Sequence, residues 1–255
     1  MIEAPVGIHC PVCAGRMREG AVGQATYRAR TTLERTTLGR RLTGRTVTGA
    51  LVALNIVVAI FTLVPSLLGM AEGPTDALVL LSPLPAAEWW RLFTSMFLHL
   101  SLLHIAFNMY ALSVFGPNIE ERYGKVRFLV LYLLSGLGGA AATLQLGGFG
   151  ASAGASGAIF GLFGAWLGFF LWHRRMRGAA EQLQSLLILL GLNAVIGFVF
   201  PGINFYAHGG GLVAGFLMVL LFESAARLRS IRSIESLGLG VLFAVTAWMI
   251  ASNSF

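Results

Sequence analysis

Charge is scarce in this chain. Of its 255 residues only 11% are Asp, Glu, Lys or Arg, while 56% are hydrophobic. A soluble domain carries about 25% charged residues, so a water-soluble fold is excluded and a polytopic membrane protein is implied. Aspartate occurs once, at Asp76, and neither Asp nor Glu is read into the core of any apolar segment. A transporter or channel would need such carboxylates, or a polar path through both leaflets. Cysteine occurs twice, at Cys10 and Cys13, in His9-Cys10-Pro11-Val12-Cys13. That is half of a four-ligand zinc site, with no second half in the chain. A remnant in a tail, a zinc site shared between chains and a redox pair all stay open. The first ~45 residues hold no apolar core, so no cleavable signal peptide is expected. Glu3 and the early Cys-x-x-Cys also argue against a transit peptide.

What is abundant is apolar sequence in long runs. Seven stretches stand out, at roughly 49–70, 92–115, 126–146, 156–172, 185–200, 205–222 and 236–252, several of them near the ~20 residues that cross a bilayer. The fourth, fifth and sixth are read as short. No repeat occurs at a fixed period.

A net charge of +7 invites a nucleic-acid reading, but its distribution refutes it. Of the 18 Lys and Arg, 17 fall in the N-terminal segment or in the connections after the second, fourth and sixth stretches. Basic residues in every second connection are the positive-inside pattern. It predicts a cytoplasmic N-terminus, seven crossings and an extracytoplasmic C-terminus. Residues 1–46 read as a basic, mobile cytoplasmic segment, and residues 47–255 as one membrane domain. The connection from about Ala71 to Arg91 is the longest external one, with Pro74, Pro83, Pro85, Trp89 and Trp90. It is long enough to have structure of its own, and the Trp pair suits a membrane interface.

Ionisable groups inside a span are costly and by default functional. The second stretch carries His99, His104 and Asn108, the fourth opens with Ser156, and the sixth opens with His208. His104 and Asn108 are four apart, on one helical face. Under the predicted topology the second, fourth and sixth stretches all run inward, so the five residues share the outer half of the membrane. An oppositely directed helix would separate one of them by most of ~30 Å.

Glycine spacing predicts which helices touch. Gly157, Gly161, Gly164 and Gly168 form a small-residue stripe headed by Ser156. Gly211 and Gly215 form a second stripe headed by His208. Such stripes let helix backbones approach closely. A hydroxyl and an imidazole would then meet: His208 takes the proton of Ser156, which attacks a carbonyl, and returns it to the leaving amine. No carboxylate is available to orient His208, so the pair is a dyad, with Phe160, one turn after Ser156, placed to stack on the ring. The Asn108 amide, the His104 imidazole and the Ser156 backbone N–H are candidate oxyanion donors. Gly150-Ala151-Ser152-Ala153 nearly repeats the Ser156 motif, but only Ser156 starts a glycine stripe. The role of His99 stays open, and His173, at the far end of the fourth stretch, is assigned none.

Gly154-Ala155-Ser156-Gly157, the trio His99, His104 and Asn108, and Ala207-His208 with Gly211 and Gly215 together resemble the rhomboid intramembrane serine proteases. Trp90-Arg91 resembles that family's Trp-Arg pair in the first external loop. The resemblance covers about residues 47–222. It implies an all-α polytopic bundle, with a six-helix core and here a seventh C-terminal helix. It implies Ser156 and His208 as catalytic dyad, His104 and Asn108 as oxyanion donors, and cleavage of single-pass membrane proteins near their extracytoplasmic end. No cofactor or metal is expected. Phe160 stands where the family often has Tyr, which keeps stacking but not a phenolic hydrogen bond. The alternative is a non-catalytic protein of the same fold that binds client transmembrane helices.

Neither an H-E-x-x-H zinc motif nor a pair of intramembrane aspartates is present, which excludes those protease chemistries. The fifth stretch, with Gly191 and Gly197, is the candidate lateral gate, capped by residues 201–207. Ala-, Gly- and Arg-rich usage points to a bacterial plasma membrane, and the predicted partners are transmembrane substrates and the lipid bilayer.

Overall fold

The computed structural model describes residues 2–4, 7–9, 46–68, 75–148, 150–199, 202–227 and 232–252. Two short strands, β1 (Ile2–Ala4) and β2 (Gly7–His9), pair antiparallel. Cys10 and Cys13, and most of the segment expected to be mobile, lie outside the described residues. The membrane part begins with α1 (Val47–Leu67). The first external connection then folds into α2 (Thr75–Leu78), β3 (Leu80–Ser82), a 3-10 turn at Ala86–Glu88, α3 (Arg91–Thr94) and a 3-10 turn at Ser95–Phe97. Next come α4 (Leu102–Tyr123), α5 (Lys125–Leu146), β4 (Gly150–Ser152) and α6 (Ser156–Trp172). The chain closes with α7 (Ala179–Val199), α8 (Phe205–Arg227) and α9 (Arg232–Ala251). The architecture is all-α and polytopic. Four helices, α1, α5, α7 and α8, are long and apolar enough to cross a membrane, and the broken pair Arg91–Phe97 with Leu102–Tyr123 makes a fifth candidate.

Three helices form the centre. A Cβ on Gly211 would overlap the Gly157 carbonyl, and one on Gly215 the Gly161 carbonyl. Both contacts advance along the two chains together, so α6 and α8 run parallel, backbone against backbone. With lipid outside, helix association rests on van der Waals packing, and only glycine permits this approach. α5 runs antiparallel to both: a Cβ on Gly139 would stand 2.6 Å from the Ala207 carbonyl oxygen, and Arg127 near the other end lies over Phe222. α5 is accordingly the most enclosed span, with 72% of its apolar window buried, against 11% for α7. α4 lies on α6 in the same direction, with Phe115 edge-on to Phe163 at 4.8 Å. Ser156, His208 and His104 therefore lie at the same end of the bundle, in the first turns of three helices that run the same way.

Four readings of the sequence change. The second stretch is not one helix, because the chain turns by 90° between Phe97 and Leu102. Leu98 is extended, and the Ser101 hydroxyl caps α4 by accepting from His104 N at 3.2 Å. His99 thus sits in the bend, ahead of the helix. The fifth and sixth stretches are not short: α7 has 21 residues and α8 has 23. They start or end with polar turns that a hydropathy reading trims away. Carboxylates do enter the helices. Buried Glu120 near the end of α4 accepts from Val47 N, Thr48 N and Thr48 Oγ1 at 2.8–2.9 Å, so it caps α1 from a neighbouring helix and satisfies first-turn amides. Buried Glu223 of α8 accepts from Tyr123 Oη at 2.7 Å, binds His173 Nε2 at 3.0 Å, and lies 3.5 Å from Arg122. That gives His173 a structural part, tying the ends of α4, α6 and α8 together. Gly124, at φ 85°, makes the abrupt turn from α4 to α5.

Gly209 and Gly211 separate packing from propensity. A Cβ on Gly209 meets open space, whereas one on Gly211 collides with backbone. Gly211→Ala is expected to lower the thermal unfolding midpoint in detergent. Gly209→Ala is expected to hold or raise it, since alanine is favoured over glycine in a helix by about 1 kcal/mol.

Candidate active site

The loop before Ser156 is built by long-range contacts. β4 pairs antiparallel with β3, matching Ser152 with Leu80 and Gly150 with Ser82. Two residues on, Gly154 N donates to Ser95 O at 2.9 Å. Gly154 has φ +128°, a region that suits glycine, and a Cβ there would stand 2.7 Å from the His104 ring and 3.7 Å from Ser156 Oγ. His104 and Ser156 therefore flank one small gap that a side chain at position 154 would fill. Ala155 is fully buried, and Ser156, half-buried, opens α6.

The first external connection carries this loop. Arg91 is buried, and its guanidinium donates to the carbonyls of Asp76 and Val79 and to Glu88. Thr94 Oγ1 donates to Leu78 O at 2.8 Å. Met96 fills the space left by Gly136 of α5. So the Trp90-Arg91 segment, predicted to have structure of its own, holds Ser95 in place for Gly154. Trp89 stays exposed, and Trp90 Nε1 reaches Ala77 O at 3.2 Å.

His208 lies in the first turn of α8, half-buried. Its ring lies flat on Phe160, with centroids 4.0 Å apart and planes 8° apart. Phe160 is four residues after Ser156 on α6, so it bridges the serine's helix and the histidine. Directly beneath, Gly157 faces the Ala207 carbonyl, 3.3 Å from where its Cβ would be. The neighbours of the two residues thus touch.

His104 and Asn108 share one face of α4, but they have different surroundings. His104 meets Gly154, while buried Asn108 places Nδ2 3.0 Å from His99 Nε2. His99 Nδ1 is 3.3 Å from the Phe97 carbonyl. A carbonyl can only accept, so Nδ1 carries the proton and Nε2 accepts from the amide. His99 also meets His104 edge-on at 5.0 Å. The residue whose role the sequence left open therefore orients Asn108, using one of its two N–H groups and leaving the second for another acceptor. Beneath the loop that leads to Ser156 lies a small cavity of about 30 Å³ lined by Ser95, Thr143, Ser152, Gly154 and Gly157, among others. That is room for a water.

The arrangement can do acyl-transfer chemistry. A hydroxyl at a helix N-terminus, an imidazole held by stacking, and amide and imidazole donors from a third helix lie at one end of the bundle. Sequence reasoning missed Ser95 and Asn204. Asn204 immediately precedes α8, where Asn before an apolar run is a helix-start signal.

Comparison with known proteins identifies the family. Residues 86–225 match the family model described as Rhomboid domain. The chain is 41% identical over 129 residues to Rhomboid protease GluP of Bacillus subtilis (strain 168), covering 51% of this chain and 25% of that protein. It is 37% identical over 136 residues to RHOMBOID-like protein 1 of Arabidopsis thaliana, covering 53% and 35%. It is 34% identical over 154 residues to RHOMBOID-like protein 6, mitochondrial, of the same plant, covering 59% and 50%. The alignments span a quarter to a half of these relatives' lengths.

The Arg91 contacts yield a direct test. Arg91→Ala leaves two carbonyls and Glu88 without their donor, at a cost of about 2–3 kcal/mol. Limited proteolysis is expected to cut the variant faster within residues 75–98, with a lowered thermal midpoint; an unchanged cleavage pattern would contradict the role given to Arg91.

Proposed function

Because the chain belongs to the rhomboid family of multi-pass membrane proteins, we propose that it is a serine endopeptidase that cleaves single-pass transmembrane proteins near the extracytoplasmic face of the membrane. Ser156 is the nucleophile and His208 the general base and acid. His104 and Asn108 donate to the oxyanion, with the Ser156 backbone N–H at the head of α6 adding to them. The observation that carries this reading is the flat stacking of His208 on Phe160, one turn from Ser156. It supplies the orientation that a carboxylate gives the histidine of a triad. His99 serves as orienter of Asn108.

The positive-inside pattern of the basic connections supports a Ser156 end that faces outside. The N-terminus is then cytoplasmic and the C-terminus extracytoplasmic, in a bacterial plasma membrane. Residues 47–255 form the protease domain, preceded by the basic segment 1–46. A substrate helix enters between α4 and α7. One observation supports that route: α7 is the least enclosed of the four long apolar helices, with 11% of its apolar window buried. A cleft of about 840 Å³ between α7, α4 and α6, lined by Phe115, Arg122, Trp166 and Leu186 among others, lies toward the opposite end of the bundle from Ser156.

Two experiments test the proposal. In liposomes with a single-span substrate, Ser156→Ala and His208→Ala are each expected to abolish cleavage. A fluorophosphonate is expected to label the wild type at Ser156 only. Phe160→Tyr should keep activity, while Phe160→Ala should lower it on the order of tenfold or more, through loss of ring orientation. A wild-type protein inert to both substrate and fluorophosphonate would favour the client-binding alternative. Separately, a disulfide crosslink between α4 and α7 is expected to stop cleavage of the membrane substrate while leaving fluorophosphonate labelling intact. Unimpaired cleavage would sink the entry route.

A further inference from the structure

Asn204 makes more contacts than a helix cap needs. Its Oδ1 accepts from Ala207 N at 3.0 Å, which caps the first turn of α8. Its Nδ2 donates both to Thr143 Oγ1 and to Ser152 Oγ, each at 3.0 Å. The orientation of the amide follows from the network. Thr143 Oγ1 donates its own hydrogen to Gly139 O at 2.9 Å, so toward Asn204 it can only accept. Ala207 N can only donate. One end of the amide must then be oxygen and the other nitrogen, as found.

The three partners come from three segments. Thr143 is in the last turn of α5, Ser152 ends β4 four residues before Ser156, and Ala207 immediately precedes His208. Asn204 N–H groups and oxygen thus join the strand leading to the serine, the helix carrying the histidine and the helix packed against both. The glycine contacts set how closely α6 and α8 approach, but a smooth glycine face resists sliding and rotation poorly. Directional hydrogen bonds resist both. Asn204 Oδ1 and Nδ2 place such bonds within one turn of His208.

We propose that Asn204 is a positioning residue that holds His208 in register with Ser156, acting through its bridge to Thr143 and Ser152 as well as through its cap. The inference rests on the dyad assigned above. It predicts a loss in the chemical step without a matching loss in substrate binding.

The test uses the full-length protein in liposomes. It reads the rate of fluorophosphonate labelling at Ser156, kcat and KM for a single-span substrate, and the thermal midpoint. Asn204→Ala is expected to slow labelling and lower kcat on the order of 10- to 100-fold, with KM within about twofold. The double variant Thr143→Val with Ser152→Ala keeps the cap and removes the bridge, together with the Thr143 bond to Gly139 O within α5; it should slow labelling by about tenfold and stay folded, and Thr143→Ser, which retains both hydroxyl bonds, should label at the wild-type rate. Asn204→Asp keeps the acceptor for Ala207 N and can accept from the Ser152 hydroxyl; it should recover most of the rate. A double variant that labels at the wild-type rate overturns the bridge. So does an Asn204→Ala protein whose midpoint falls while its folded fraction labels normally, because that is a purely structural cap. If the wild type is not labelled at Ser156 at all, the dyad assignment has failed first, and the Asn204 role falls with it.

Discussion

Backbone touches backbone where α6 meets α8, and the rest of the bundle is arranged around that contact. The carbonyls of Gly157 and Gly161 occupy the space that side chains at 211 and 215 would take. Inside a membrane no hydrophobic force draws one helix to another, because lipid is as apolar as the protein. Close approach supplies dispersion contacts instead, and only paired glycines allow it. Because the two helices run parallel and begin at the same end, the contact also brings their first turns together. Gly157 and Ala207, the neighbours of Ser156 and His208, meet for that reason, and the His208 ring stacks on Phe160 of the serine's helix.

Polar groups then do at the ends of the helices what glycine does along their length. At the Ser156 end, β3 pairs with β4, Ser95 receives Gly154 N, and His99 receives the Asn108 amide. At the opposite end, Glu223 gathers Tyr123, His173 and Arg122, while Glu120 holds the first amides of α1. Buried carboxylates are costly unless fully partnered, and each of these two has several donors. α7 lies outside both sets of ties. The bundle thus has a tied centre and a lightly held flank.

Much of this was legible along the chain. Ser156 and His208 each head a glycine stripe, and basic residues mark every second connection, so the fold class and the candidate dyad could be read from spacing alone. The stacking of Phe160 followed from helical period. Other parts were not legible. Glu120 and Glu223 lie just past the apolar stretches 92–115 and 205–222, because the helices run on beyond them, and a carboxylate there looks solvated until its partners are known. The bend at His99 hides inside a continuous apolar run, where hydropathy cannot tell a helix from a buried loop. Ser101, three residues before His104, was the available sign of a helix start.

The sequence by itself determined which residues avoid water, which helix faces can come close, and which few polar groups the apolar segments carry. Those properties depend on near neighbours and on the period of the helix, so they are written locally. Tertiary structure alone decided that Arg91 braces the first external connection, that His99 orients Asn108, and that Asn204 joins Thr143 to Ser152. Two of those last partners lie 61 and 52 residues from Asn204. A hydrogen bond needs its atoms placed to within a few tenths of an ångström, and no pattern along the chain encodes distance across such a gap until the helices have packed.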